Sequence, residues 1–391
     1  MNSDPQLEKL IPEITNWRHQ IHAWPETAFE EIRTSEFVAE KLASFGLKVE
    51  TGIAKTGVIG TLQKGSDKKS VIGLRADMDG LDIQEENDLP YRSENIGKMH
   101  ACGHDGHTAM LLGAAKRLSQ SDQFNGTVHF IFQPAEENEG GASVMVREGL
   151  FKKFPVQAVF GLHNFPVLPL GYFAITAGPM MAAFDIFDVT IKGRGGHAAM
   201  PHQSRDPIMA ASYMINQFQS IVSRNLDPIE GSVISVTQIN GGTAYNIIPD
   251  DVHFKGTTRH FQPHIQDEIE ARMREIVAGV SKSMDVKADF SYERRYPSVI
   301  NSLDETQAAI NAAKLAAGDD KVMTNFPPVM GSEDFAFMLH ETPGAYIGLG
   351  AGDPRDRGML HQSRYDFNDE LLPIGVTYWE SLVKSLLPVN D

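Results

Sequence analysis

The chain has 391 residues, 41% of them hydrophobic and 22% charged, which is enough for two domains that each bury an apolar core. The single cysteine excludes an internal disulfide, and a formal charge of −16 disfavours binding to the phosphates of nucleic acid. The polar N-terminus lacks a signal-peptide pattern, and no run reaches the ~20 apolar residues of a membrane helix. We therefore expect a cytoplasmic protein that binds neither nucleic acid nor membranes.

The first part of the chain alternates short apolar runs with helical patterns. Residues 71–75, 128–132 and 158–162 have the composition of buried strands, and residues 108–118 have the spacing of a helix with one buried face. Strands that alternate with helices are typical of a largely parallel sheet with helices on both faces.

The pattern changes near residue 183. Strands are predicted at 185–191, 232–239, 252–258 and 286–292, and helices at 206–224 and 266–283. This β-α-β-β-α-β order is that of a ferredoxin-like α+β domain. A helix at 306–317, a strand at 345–349 and a helix at 375–387 then return to the first domain. The sequence predicts a discontinuous α/β domain, residues 1–182 and 297–391, with residues 183–296 inserted.

Side chains that bind metals or carry protons cluster where the predicted strands end. Ligands of open α/β sheets bind outside the carboxyl ends of the strands, so we expect these side chains to share one site. Asp77 and Asp79 follow the first strand, Glu136 and Glu137 follow the second, and His163 follows the third; Cys102 and His104 precede the first helix, and His361 lies in a late loop.

The lone cysteine favours a metal site over a packing role. A buried cysteine is usually a small hydrophobic residue, but Cys102 lies in a glycine-containing polar loop two residues from His104. Taken singly, His163 fits a structural histidine, and Glu136 with Glu137 fits a solvated turn. Together, thiolate, imidazole and carboxylate suit zinc, and also cobalt, nickel or manganese. Five such ligands fit two ions ~3.5–4 Å apart that share an activated water.

Several longer motifs resemble one enzyme family throughout the chain. They are RHQIHAWPE (18–26), RADMDGL (75–81), HACGHDGH (100–107), FQPAEE (132–137), GLHNFP (161–166), GRGGHAAMPH (193–202) and MGSEDF (330–335). The sequence resembles the metal-dependent N-acyl-amino-acid amidohydrolases, which include hippurate hydrolases, aminoacylase-like enzymes and plant auxin-conjugate hydrolases. The resemblance implies a di-metal catalytic domain, an inserted lid or dimerisation domain, a homodimer or higher homo-oligomer, and an N-acyl amino acid substrate.

The resemblance also implies roles for individual residues. Two divalent ions (zinc, manganese, cobalt or nickel) would be bound by Cys102, His104, Glu137, His163 and His361. Glu136 would be the general base, and Asp77 and Asp79 would orient a ligand. His197 would reach the active site of the partner subunit and stabilise the oxyanion that forms there. Asn246 and Arg259 would bind the substrate, and the arginine would pair with the substrate's free carboxylate.

Two other functions stay open. One is a dipeptidase or carboxypeptidase on the same scaffold, which would need room and a counter-charge for a free amine. The other is a non-catalytic metal-binding protein of the same fold. Glu136 argues against the second, because a protein that only stores metal has no use for a further carboxylate beside the ion.

Overall fold

The computed structural model of the protein describes residues 4–137 and 139–389. The chain divides into two units. The first comprises the residues up to Met180, Val299–Pro327 and the residues from Asp334 onward; the second comprises Met181–Ser298 and Pro328–Glu333. The short second piece of that unit lies within a stretch that the sequence analysis assigns to the first domain. It joins the second unit because the Ala182 amide donates to the carbonyls of Val329 and Gly331, at 3.1 and 2.9 Å.

The helices are α1 (Pro5–Ala23), α2 (Ile32–Ser44), α3 (His104–Ser119), α4 (Gly141–Arg147), α5 (Leu150–Lys153), α6 (Pro207–Ser220), α7 (Pro263–Met284), α8 (Leu303–Ala317), α9 (Ala336–Glu341), α10 (Pro354–Arg357) and α11 (Leu371–Leu386). Within residues 4–137 and 139–389, none of them combines the length and the apolar character that a membrane crossing requires.

The strands are β1 (Lys48–Ile53), β2 (Gly57–Lys64), β3 (Val71–Asp77), β4 (Gly126–Gln133), β5 (Ala158–Phe165), β6 (Phe173–Ala174), β7 (Gly178–Met181), β8 (Ala183–Lys192), β9 (Gly196–His197), β10 (Ser232–Asn240), β11 (Ile247–Ile248), β12 (Asp251–His260), β13 (Lys287–Tyr296), β14 (Val299–Asn301), β15 (Val322–Met323) and β16 (Gly344–Gly350).

The first unit is built around an eight-stranded sheet in the order β1-β2-β4-β3-β5-β16-β6-β15. The central strands β4, β3, β5 and β16 run parallel, while β1 and β2 add an antiparallel edge. Almost every residue of β3, β5 and β16 is buried, which explains their continuous apolar composition. The prediction of an α/β fold with a large, mostly parallel sheet is confirmed.

Helix α3 begins four residues earlier than the predicted helix. Gly103 precedes it with a φ of 95°, a left-handed conformation that favours glycine, and the helix starts at His104. Asp105 then lies in the first turn, where a negative charge is favoured by the helix dipole. This earlier start places His104 on a rigid element that is buried along most of its length.

The second unit contains a four-stranded antiparallel sheet in the order β10-β12-β8-β13. Its elements follow the chain order β8-α6-β10-β12-α7-β13. Burial alternates along β8 and β12, so one face of the sheet packs into a hydrophobic core with α6 and α7. The predicted helix at 206–224 is in fact α6 followed by a π-helical segment, Ile221–Asn225.

Candidate metal centre

The parallel strands bring the chemical residues of the first unit to one edge of the sheet. β3 ends at Asp77, β4 leads into the loop that carries Glu136, and β5 carries His163 near its end. Donor atoms lie within 4.8 Å of one another in three overlapping groups: Cys102 with His104 and His163, Cys102 with Glu137 and His361, and His104 with Glu136 and Glu137. All eight site residues predicted in this unit therefore lie in one cluster. Asp77 and Asp79 belong to it because they contact His104.

His104 presents one ring nitrogen to the centre of this cluster. Its Nδ1 lies 3.1 Å from Asp79 Oδ1 and donates to that oxygen. Its buried Nε2 has no hydrogen-bond partner and lies 3.8 Å from Asp77 Oδ2. Burial lowers the pKa of His104, but Asp77 and Asp79 outweigh it and raise the pKa to about 10. A histidine held by a carboxylate, with its other nitrogen free, has the usual geometry of a metal ligand.

Asp79 and Asp77 hold different partners. Asp79 accepts from His104 with one oxygen and from the Glu137 amide with the other, at 2.9 Å, so it connects two candidate ligands. Asp77 accepts from His107 Nδ1 at 2.6 Å and from Arg75 Nη1 at 2.7 Å. Burial raises the pKa of Asp77, but His104, Arg75 and His107 hold it well below its usual range. Asp79 is thus the carboxylate that orients His104 directly.

Cys102 and His163 face each other with Sγ and Nε2 3.3 Å apart. His163 Nδ1 donates to the Asn164 carbonyl at 2.8 Å, which leaves Nε2 toward the sulfur. Burial and the neighbouring imidazole of His107 hold the pKa of His163 well below its usual range, so this ring is neutral. Burial, followed by the charges of Glu137 and Glu136, raises the pKa of the Cys102 thiol well above its usual value.

Two strained positions present the remaining candidate ligands. Ala135 has a φ of 55°, which turns the chain just before Glu136 and Glu137. His361 has a φ of 64°, and its amide donates to the Ala101 carbonyl at 2.7 Å, beside Cys102. His361 Nε2 lies 3.0 Å from Glu137 Oε1, an ion-pair distance, although this oxygen has no partner with hydrogen-bond geometry.

This donor set fits divalent cations. A thiolate at Cys102, next to two carboxylates, is unfavourable unless a positive charge lies between them. His104 Nε2 and Glu137 Oε1, which have no hydrogen-bond partner among the described residues, face the same region. A mixture of sulfur, imidazole nitrogen and carboxylate oxygen suits zinc and its first-row neighbours. The residues of the first unit therefore satisfy the chemical requirement for the ions that the sequence predicts.

Of the three site residues predicted in the second unit, two are neighbours and the third lies apart from them. His197 on β9 pairs with Ile247 on β11, and the Ala198 amide donates to the Asn246 carbonyl at 3.0 Å, so His197 and Asn246 are neighbours on an exposed ladder. Arg259 lies near the far end of β12, eight residues after Asp251, with its guanidinium 4.3 Å from the Phe184 ring. Eight strand residues span about 26 Å.

Three buried residues near the centre have contacts that the sequence analysis did not anticipate. Glu31 accepts from the Ala135 amide at 2.9 Å and so supports the turn before Glu136; burial and the charge of Asp79 raise the pKa of Glu31 to about 7. Arg75 holds Asp77, and its Nε donates to Gln133 Oε1 at 2.8 Å. His107 lies one helical turn after His104, a spacing that could have marked it as a neighbour.

Comparison with known proteins agrees with this geometry. The family model of peptidase family M20/M25/M40 matches residues 73–385. A hippurate hydrolase from Campylobacter jejuni is 42% identical over 388 residues, which cover 99% of this chain and 100% of that protein. An N-acetylcysteine deacetylase from Bacillus subtilis is 37% identical, with coverages of 96% and 97%.

Among solved structures, a Bacillus subtilis protein described as a dinuclear metal-binding peptidase of the M20 family has a TM-score of 0.84. It is 33% identical, and the match covers 97% of this chain and 99% of that one. These findings confirm the resemblance to metal-dependent N-acyl-amino-acid amidohydrolases. The chain is an amidohydrolase and belongs to peptidase family M20/M25/M40.

Proposed function

We propose that the protein uses two divalent ions to hydrolyse the amide bond of N-acyl amino acids, releasing a carboxylic acid and a free amino acid. The convergence of Cys102, His104, Glu137, His163 and His361, with Glu136 beside them, is the observation that carries this proposal. Two relatives are named for hippurate and N-acetylcysteine, both N-acyl amino acids, which favours this substrate class.

The five ligand candidates would hold the ions, and Glu136 would transfer the protons. Bound divalent ions supply the Lewis acidity that polarises an amide carbonyl and lowers the pKa of water. Glu136 accepts a proton from the attacking water and delivers it to the nitrogen of the leaving amino acid. Its side chain is buried beside His104 and Glu137, so the proton stays out of bulk solvent between the two transfers.

The separation of the second unit's residues supports a homodimer. The chain just before β9, which carries His197, lies beside the start of β12, where the Gly193 amide donates to the Asp250 carbonyl. Arg259 lies about 26 Å along β12 from that end, which is more than the length of an N-acyl amino acid, so within one subunit the two residues would serve different sites. We assign Arg259 to the substrate carboxylate and His197 with Asn246 to a site whose metal ligands belong to the partner subunit. Exposed apolar side chains on α6 (Ile208, Met209 and Tyr213) and on the edge strand β10 (Val233 and Ile239) offer a surface for that partner.

The primary test uses the Glu136→Gln variant and a panel of substrates. Hippurate, N-acetyl amino acids and unblocked dipeptides are compared for the wild-type protein before and after chelation. We expect cleavage of the N-acyl substrates, loss on chelation and recovery with divalent metal. Glu136→Gln should keep the wild-type metal content and lose ~10²–10⁴-fold in kcat. Preferred cleavage of dipeptides would support the peptidase alternative, and unchanged turnover by the variant would refute the assigned base.

The dimer assignment has its own test. A dimer of Glu136→Gln subunits and a dimer of His197→Ala subunits should each be inactive. A mixed dimer would contain one complete site, with the intact glutamate from one subunit and the intact histidine from the other. Random mixing in equal amounts should restore about a quarter of wild-type activity. No recovery, with mixed dimers demonstrated by mass spectrometry, would show that His197 serves its own subunit.

A further inference from the structure

The N-terminal RHQIH motif places a buried arginine between two segments that carry candidate metal ligands. Arg18 on α1 has no exposed surface. Its Nε donates to Asp105 Oδ2 at 2.8 Å, and its Nη2 donates to Asp366 Oδ1 at 2.7 Å. One planar guanidinium thus joins carboxylates that are far apart in the sequence, and Arg18 itself is not a candidate ligand.

The first carboxylate fixes the start of α3. Asp105 directly follows His104 in the first helical turn, and it also accepts from His22 Nδ1 at 2.8 Å. His22 in turn lies 3.3 Å from Glu85 through Nε2. Because Asp105 and His104 share one rigid turn, the position of Asp105 determines the position of the His104 backbone relative to the metal centre.

The second carboxylate closes the base of the loop that carries His361. Asp366 accepts from Arg357 Nη1 at 2.8 Å, and its amide donates to the Arg357 carbonyl at 2.8 Å. Residues 357–366 therefore form a closed segment with His361 inside it. Since His361 has a left-handed backbone, its placement depends on contacts that hold the two ends of this segment.

We propose that Arg18 is a positioning residue that sets the spacing between His104 and His361 and so controls how tightly the ions are retained. The inference rests on the metal ligation proposed above. A guanidinium binds two carboxylates through a fixed fork, whereas a lysine ammonium keeps the charge but not the fork. Outer partners of metal ligands typically contribute 10–100-fold to metal affinity.

The test compares Arg18→Lys with a matched control, Arg117→Lys. Arg117 lies near the end of α3 opposite to His104 and also bridges two carboxylates, Glu380 at 2.8 Å and Asp4 at 2.6 Å, neither of which belongs to the first turn of α3 or to the His361 loop. Affinities for Zn²⁺ and Co²⁺ are measured by competition with chelators, and the ligand field is followed by Co²⁺ absorption.

We expect Arg18→Lys to weaken retention of at least one ion by ~10–100-fold and to change the Co²⁺ spectrum, while Arg117→Lys changes neither. Wild-type affinity and spectrum in Arg18→Lys would overturn the inference. If that variant fails to fold, Asp366→Asn replaces it, because it weakens the Arg18 contact on the side of His361 and leaves the Arg18 contact with Asp105 in place. Wild-type retention in Asp366→Asn would equally overturn the inference. A wild-type protein that binds no ions would instead refute the proposed function.

Discussion

Loading the metal-free protein with ions should release about two protons at pH 8. The Cys102 thiol has a pKa well above its usual value, so it is protonated before an ion binds and ionised afterwards. His104 has a pKa of about 10, so its ring is in the protonated form at pH 8 and must lose one proton to coordinate. His163 is already neutral and releases none. Each of the first two residues therefore contributes one proton.

Isothermal titration calorimetry measures this number directly. Zn²⁺ is titrated into metal-free protein at pH 8 in several buffers that differ in ionisation enthalpy, and the slope of observed enthalpy against buffer enthalpy counts the protons. Because protons compete with the ions, the overall constant for binding both ions should rise by about 100-fold per pH unit between pH 7 and pH 8, where both groups remain protonated in the free protein.

Two variants assign the protons. Cys102→Ser removes the thiol that ionises, so release should fall to about one. Asp79→Asn removes the carboxylate that accepts from His104 Nδ1 and raises the pKa of His104. A smaller fraction of His104 should then be protonated in the metal-free protein, so the number of protons released should fall below two. A wild-type release close to zero, or an unchanged release in Cys102→Ser, would refute the protonation states argued from the burial and charges of the centre.

Other changes should have separable effects. Glu31→Gln should stabilise the metal-free protein at pH 8 by up to ~3 kcal/mol in urea unfolding, with little gain near pH 4, since the raised pKa of Glu31 makes unfolding easier as pH rises from 4.5 to about 7. Gly141→Ala should destabilise by more than ~3 kcal/mol, because its Cβ would lie 1.8 Å from the Pro134 carbonyl oxygen. His197→Ala should lower kcat ~10²–10³-fold, whereas Arg259→Lys should mainly raise KM for N-acyl amino acids, as steady-state kinetics can distinguish.

The buried parallel strands could be predicted from the sequence because burial on both faces requires continuous apolar runs. Residues 158–162 are such a run, and β5 extends it to Phe165. The antiparallel edge could not be predicted the same way. Most residues of β1 are exposed, so its composition, KVETGI, has neither an apolar run nor a regular alternation. Edge strands carry little of the hydrophobic signal on which such predictions depend.

The candidate ligands could be found because each lies beside a strand end or in a short motif. The residues that hold them could not, since their contacts join distant parts of the chain. Arg18 and Asp366 are 348 positions apart, and Glu31 and Ala135 are 104 apart. Neither pair has a local pattern, and an arginine on a helix or a glutamate just before one is ordinarily a solvent-exposed residue. Only the folded geometry shows that both are buried.

The distribution of charge explains why two of the residues that support the candidate ligands, Arg18 and Arg75, are arginines. The sheet edge buries Asp77, Asp79 and Glu136 and places the partly buried Glu137 beside them, an arrangement that costs free energy unless positive charge compensates it. Arg75 compensates Asp77, and Arg18 compensates the carboxylates behind His104 and His361. On the side of Cys102, Asp79 contacts His104, and Glu137 lies 3.0 Å from His361. Divalent ions bound beside Cys102 would add positive charge on that side of the centre, so ion binding should stabilise the fold as well as support hydrolysis.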